Sequence, residues 1–238
     1  MRIVLISLCF ALVTITATAQ SVDAVFTRYI DYSGGKQQLQ SVHSRIDSGT
    51  YNYGGIEFPF VSYAQSPDHY KYVVTFNGKY FAQSFDGQEG WKIDAFKNQK
   101  QKQVLYGEDG KAMANEADVH LESPFIDYKQ KGYAATLEGT DTVGSQHCYR
   151  IRFIAPNKDT ALYFFDRQSG ALLEKIAVSK NIELNGATLE TTYTDYTDVK
   201  GINIPFTVTH KIKDQTVLVI KVKGVVLNPP VDDSIFKP

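Results

Sequence analysis

The residues of this 238-residue chain that could carry reactive chemistry are five histidines, two cysteines and a few neighbouring acids. His43, His69, His120, His147 and His210 are scattered, and none stands at ligand spacing from a cysteine or carboxylate, so a zinc site is not expected. Cys148 adjoins His147, and a thiol becomes a nucleophile only beside a group that stabilises its thiolate. Neighbouring residues of a strand point to opposite faces, which separates this pair. Asp195 and Asp198 flank a turn, and Asp232-Asp233 lies near the end of the chain. Two carboxylates at a fixed separation can hydrolyse a glycoside, but aspartates in turns ordinarily bond their own backbone. A nucleophile elbow, a phosphate loop and a dinucleotide fingerprint are all missing. The expectation is a non-catalytic protein without metal or cofactor.

The positive signal is aromatic. Tyr63, Tyr70, Tyr72, Phe76, Tyr80, Phe81 and Phe85 crowd one hairpin, and Tyr163 and Phe165 alternate with Leu162 and Phe164. Such rings serve either as the ordinary core of a sandwich or barrel, or as the lining of an apolar cavity under a curved sheet. On the second reading the lining comprises Phe58, Phe60, Tyr72, Phe76, Phe81, Phe85, Trp91, Met113, Leu121, Tyr149, Phe153 and Phe165. Strand parity leaves open which face is the hollow one.

The elements that position these residues follow from periodicity. Val22, Val25, Phe26, Tyr29 and Ile30 form an apolar stripe at helical spacing, with Ser21 as cap and Ser33-Gly34-Gly35 as stop. A short helix over 36–42 would turn Leu39 and Val42 inward. The period then becomes two. Strands are expected over 56–60, 70–76, 79–85, 91–93, 133–138, 147–154, 160–166, 172–180, 187–196, 204–211 and 217–226, as an antiparallel meander. Asn77-Gly78 is the strongest hairpin signal among their turns. Residues 97–103 read as a solvated loop or ragged strand end. Residues 109–122 read as a helix with Met113, Ala117, His120 and Leu121 on one face, and this insert splits the strands into two groups. It would act as a movable lid.

Residues 1–19 read as an export signal: Arg2, an apolar run, then Ala17-Thr18-Ala19 as a cleavage site. The remainder, 20–238, reads as one domain. Its 25 basic and 26 acidic side chains nearly balance, which argues against nucleic acid as a partner. Cys148 would be alone after cleavage, so stability must come from the core without a disulfide. No later segment is long and apolar enough to span a bilayer as a helix.

The stretch Phe85-Asp86-Gly87-Gln88-Glu89-Gly90-Trp91 resembles the "FDG…GW" turn of bacterial outer-membrane lipoprotein-sorting proteins. The order of further segments agrees: Gly34-Gly35-Lys36, Phe125-Ile126-Asp127-Tyr128, Asp166 before Gly170, the run from Tyr193 to Pro205, and Asp232-Asp233-Ser234-Ile235-Phe236. This resemblance spans nearly all of residues 20–238. It implies the fold of the periplasmic lipoprotein carrier and its receptor: a mainly β, unclosed antiparallel barrel of about eleven strands, with N-terminal and central helices plugging the open side. It further implies a monomeric periplasmic protein that binds a lipid or lipoprotein acyl chain, or an envelope protein partner as in stress sensing. Arg45, Arg150 and Arg152 are candidates for the carrier's ligand-release arginine, although no motif places any of them there.

Overall fold

The computed structural model describes residues 20–106, 123–180, 184 and 186–237. The N-terminal stripe forms helix α1, Val22–Tyr32. Ser21 caps it by accepting the Ala24 N–H, and Val25 and Phe26 are its buried residues. Helix α2, Lys36–Gln40, follows the glycine pair. Leu39 and Val42 pack inward there against Ile202, Ile204 and Leu227, as their spacing predicts.

The rest is one antiparallel sheet. Its first half comprises β1 (Ser44–Tyr53), β2 (Ile56–Gln65), β3 (His69–Phe76), β4 (Lys79–Asp86), β5 (Gly90–Asp94) and β6 (Gln99–Leu105). A 3-10 turn, Ala95–Lys97, joins the last two. Its second half comprises β7 (Ala134–Val143), β8 (Gln146–Ile154), β9 (Thr160–Asp166), β10 (Leu172–Val178), β11 (Thr188–Val199), β12 (Ile202–Ile212) and β13 (Gln215–Leu227). The spatial order is β6-β5-β4-β3-β2-β1-β13-β12-β11-β10-β9-β8-β7. Each half is a meander, and the pairing of β1 with β13 joins them. β6 and β7 are the two edges, so among the described residues the sheet does not close on itself.

Among the described residues, thirteen strands replace the eleven expected. The two additions are the most polar segments. β1 reads Ser-Arg-Ile-Asp-Ser-Gly-Thr-Tyr-Asn-Tyr, with too few apolar residues to alternate visibly, yet it is central and paired on both sides. β6 reads Gln-Lys-Gln-Lys-Gln-Val-Leu and forms an edge. Its lysines are what an edge strand needs to discourage pairing with another chain.

Local chemistry agrees with the turns. Asn77 and Gly78 both have positive φ (48° and 72°), as a two-residue hairpin with the sheet's own twist requires. Bulges at Ser48/Gly49, Leu137/Gly139 and Leu172/Glu174 interrupt the ladders, and each bends and twists its strand further. The 109–122 helix expected from the sequence lies outside the described residues. Among the described residues, no helix is long and apolar enough to cross a membrane.

Candidate functional site

Cross-strand register fixes which side chains share a face. Tyr51 pairs with Phe58, Gly49 with Phe60, and Phe60 with Val74, which pairs with Phe81. On the other side of β1, Tyr51 pairs with Ile220, and Ile220 with Val208, which pairs with Tyr193. In the second half Phe165 pairs with Tyr149, and Tyr163 with Ile151. One face therefore runs through the whole sheet, and α1 packs on it, with Val25 and Phe26 against Ile151, Phe153, Tyr163 and Phe165. We term it the inner face.

Nine of the ten described ring candidates lie on it: Phe58, Phe60, Tyr72, Phe76, Phe81, Phe85, Tyr149, Phe153 and Phe165. They divide into two environments. Around β8 and β9 the face is filled by the chain itself. Phe26 stands 4.7 Å from Phe125 and 5.7 Å from Phe165 between ring centres, and Phe125 stands 5.3 Å from Phe153. Phe153 and Phe165 are buried in that core, so they are packing residues in this state.

Across β1–β4 the rings contact one another. Tyr51 stacks on Phe60 at 4.4 Å, Phe58 lies 5.0 Å from Phe76, and Tyr72 lies 5.7 Å from Phe81. Phe60 is buried, while Tyr51, Phe58, Tyr72, Phe76, Phe81 and Phe85 remain half-buried. Tyr72 donates its hydroxyl to Gln83 Oε1 at 2.7 Å, which leaves its ring to act as an apolar surface. Tyr51 was not among the expected lining residues because its strand shows no apolar alternation; only its register against Phe58 brings it in.

Trp91 is the exception. It pairs with Ser84, so it points to the outer face while Phe85 points inward. There the C-terminal 3-10 helix Asp233–Phe236 covers it, and its indole N–H donates to the Phe236 carbonyl at 2.7 Å. Lys71 donates to Ile235 O at 2.6 Å beside it, and burial lowers its pKa. Met113 and Leu121 lie outside the described residues.

The polar candidates separate by face too. Arg45 is on the inner side of β1, where its Nε donates to Asp47 Oδ1 at 2.7 Å. Arg150 and Arg152 are on the outer side of β8, paired with Glu138 and Asp141. Cys148 is buried on the outer face, and burial pushes its thiol up to about 11, a value that disfavours a thiolate. Asp198 and Asp232 accept backbone N–H groups from Gly201 and Ser234, as turn aspartates do. Among the described residues, no group of three His, Cys, Asp or Glu could hold a metal ion. An open groove of about 330 Å3 lies between the flank of α1 and residues 125–130. The ion pairs Lys36–Asp127 (2.6 Å) and Asp23–Lys129 (2.7 Å) line it together with Phe26 and Phe125, and no residue of β1–β4 does.

Solved structures share this architecture. A DUF1329 family protein from Desulfovibrio piger superimposes with a TM-score of 0.60 over 91% of this chain and 97% of its own, at 12% identity. A LolA superfamily protein from Nitrosomonas europaea gives 0.57 over 90% and 96%, at 11% identity. The fold is LolA-like. A structure described as an outer-membrane lipoprotein-sorting protein domain from Vibrio parahaemolyticus gives 0.58 over 89% and 95%, at 10% identity. No family model and no curated protein matches the chain. At these identities the likeness is one of fold.

Proposed function

We propose that this protein is an exported, non-catalytic carrier or chaperone of the periplasm that shelters an acyl chain or another hydrophobic molecule against the inner face of β1–β4. One observation carries the reading. The same face that Phe26 and Phe125 fill over β8 and β9 bears six half-buried rings over β1–β4. Apolar surface removed from water stabilises a complex by roughly 25 cal/mol per Å2, so a chain laid across those rings gains several kcal/mol without any reactive group. The LolA-like fold supports this, since one similar structure is described as a lipoprotein-sorting domain. An export signal over 1–19 would place the protein where such cargo is exposed to water.

The test is extraction of the natively purified protein followed by lipid mass spectrometry, with uptake of a fluorescent fatty acid measured in parallel. The expected result is co-purifying lipid, and uptake that falls severalfold in Phe58→Asp and Phe76→Asp. Absence of both lipid and uptake overturns the reading.

A second reading, an envelope protein-docking module, has its own observation. Tyr53, Ile56 and Tyr80 are 65%, 49% and 40% exposed at the tips of the adjacent β1–β2 and β3–β4 hairpins. Photo-crosslinking from position 53 to one defined protein, unchanged by Phe58→Asp, would favour it.

A further inference from the structure

A polar row crosses β10–β12 on the inner face. Tyr163 of β9 pairs with Lys175 of β10, Lys175 with Thr191 of β11, Thr191 with His210 of β12, and His210 with Leu218 of β13. Paired residues on one face hold their Cβ atoms about 5 Å apart, so Lys175, Thr191 and His210 form one cluster. Thr191 Oγ1 lies 3.0 Å from His210 Nδ1, and the Lys175 ammonium lies 5.6 Å from the centre of the Tyr163 ring. Thr191 is buried, and Lys175 and His210 are half-buried.

Among the described residues, the cation of this row has no carboxylate partner. Glu174 and Glu190 are sequence neighbours of Lys175 and Thr191, but alternation turns them to the outer face. Among the described residues, no carboxylate comes within ion-pair distance of Lys175. Arg45 on the same face has Asp47. Burial and then the Lys175 charge lower the basicity of His210. A half-buried cation that meets the Tyr163 ring and, among the described residues, no carboxylate is a costly arrangement until an anion joins it.

Its position links it to the rings. From His210 the inner face passes through Leu218 and Ile220 to Tyr51, then Phe58 and Phe76. From Lys175 on β10 to Phe58 on β2 is five strand spacings, roughly 24 Å, which suits an extended long hydrocarbon chain. The other end of the row meets Tyr163 and the filled aromatic core, so a chain can leave the cluster in one direction across the face.

We propose that Lys175, in one row with Thr191 and His210, is the headgroup site of the hydrophobic ligand, which is thus a single-headed anionic amphiphile with its carboxylate or phosphate on Lys175. This rests on the acyl-chain reading above and narrows it. A neutral chain gains only the rings, whereas an anionic one also gains charge-assisted hydrogen bonds.

The experiment measures binding of palmitate, palmitoyl lysophosphatidate and hexadecanol to the full exported chain and to Lys175→Gln, Lys175→Arg and Lys92→Gln. At least one anion should bind about tenfold or more tightly than the alcohol, the scale of a charge-assisted hydrogen bond. Whether palmitate or the lysophosphatidate shows that preference identifies a carboxylate or a phosphate as the headgroup. Lys175→Gln should abolish the preference and leave alcohol binding unchanged, which also shows the fold intact. Lys175→Arg should retain most of it. Lys92→Gln, which alters the cation of β5 on the same face, should leave it untouched. Raising salt should weaken the preference in the wild-type protein, a readout independent of any variant's folding. Equal binding of alcohol and anions, or a preference that survives Lys175→Gln or disappears in Lys92→Gln, overturns the headgroup site while the acyl-chain reading stands. Failure of all three probes to bind removes both.

Discussion

The indole N–H of Trp91 donates to the backbone carbonyl of Phe236 at 2.7 Å and helps fasten the C-terminal segment to the outer face of the sheet. Ser84 Oγ donates to the same carbonyl at 2.9 Å, and Phe236 is buried beneath the contact. The C-terminal segment therefore shields one face of β3–β5 while the rings occupy the other.

Trp91→Phe tests that separation. It removes one buried hydrogen bond but leaves the Phe236 carbonyl its Ser84 partner, so the cost is about 1 kcal/mol. Urea denaturation should show that loss, and fatty-acid uptake should be unchanged because residue 91 faces away from the rings.

Phe26→Ala tests the filled part of the inner face. The ring contacts Phe125, Tyr128, Phe153 and Phe165 and is buried. Truncation of such a residue costs about 3–5 kcal/mol because neighbours close the cavity only in part. A midpoint shift much smaller than that in chemical denaturation would mean that α1 is loosely held.

These two aromatic residues also show what the sequence makes legible. The stripe from Val22 to Ile30 announced α1 and its buried side, because a helix repeats its face with only one period. Alternation put Tyr149, Ile151 and Phe153 on one side of β8 and Arg150 and Arg152 on the other, as observed. The sequence groups Trp91 with the lining rings because parity within a short strand does not say which side is inner; its register with Ser84 does. β1 was illegible for a different reason. Its inner positions are Arg45, Asp47, Gly49 and Tyr51, of which two neutralise each other and one has no side chain. The Lys175–Thr191–His210 cluster was equally hidden, since its members are separated by 15 to 18 intervening residues and meet only through pairing.

His210 gives a pH prediction. Burial, then the nearby Lys175, lowers its pKa below the ordinary histidine value. In the unfolded chain it takes up a proton near about 6.5, whereas in the fold it resists until a lower pH. The unfolded state thus binds more protons in that window, and stability must fall as pH drops through it. The loss levels off once the folded imidazole is protonated. His210→Gln should remove this component from denaturation curves recorded across the window, with the other histidines cancelling in the difference.

Gly49 should tolerate no side chain. A Cβ there would lie 2.0 Å from the Lys221 carbonyl oxygen and 2.9 Å from Phe60 Cε1. The strain does not come from a left-handed backbone; it comes from the bulge where β1 meets β13, which brings the Lys221 backbone against the glycine. Neither neighbour can move freely, since Lys221 is held in the ladder that joins the two halves of the sheet and Phe60 is stacked on Tyr51. Gly49→Ala therefore forces the β1–β13 pairing apart or displaces Phe60 among the rings. Overpacking of this kind costs about 1–3 kcal/mol. Amide hydrogen exchange should show the loss concentrated in β1 and β13, with the Phe26 core of β8 and β9 still protected. Uniform loss of protection would instead mean that the two halves unfold as one unit.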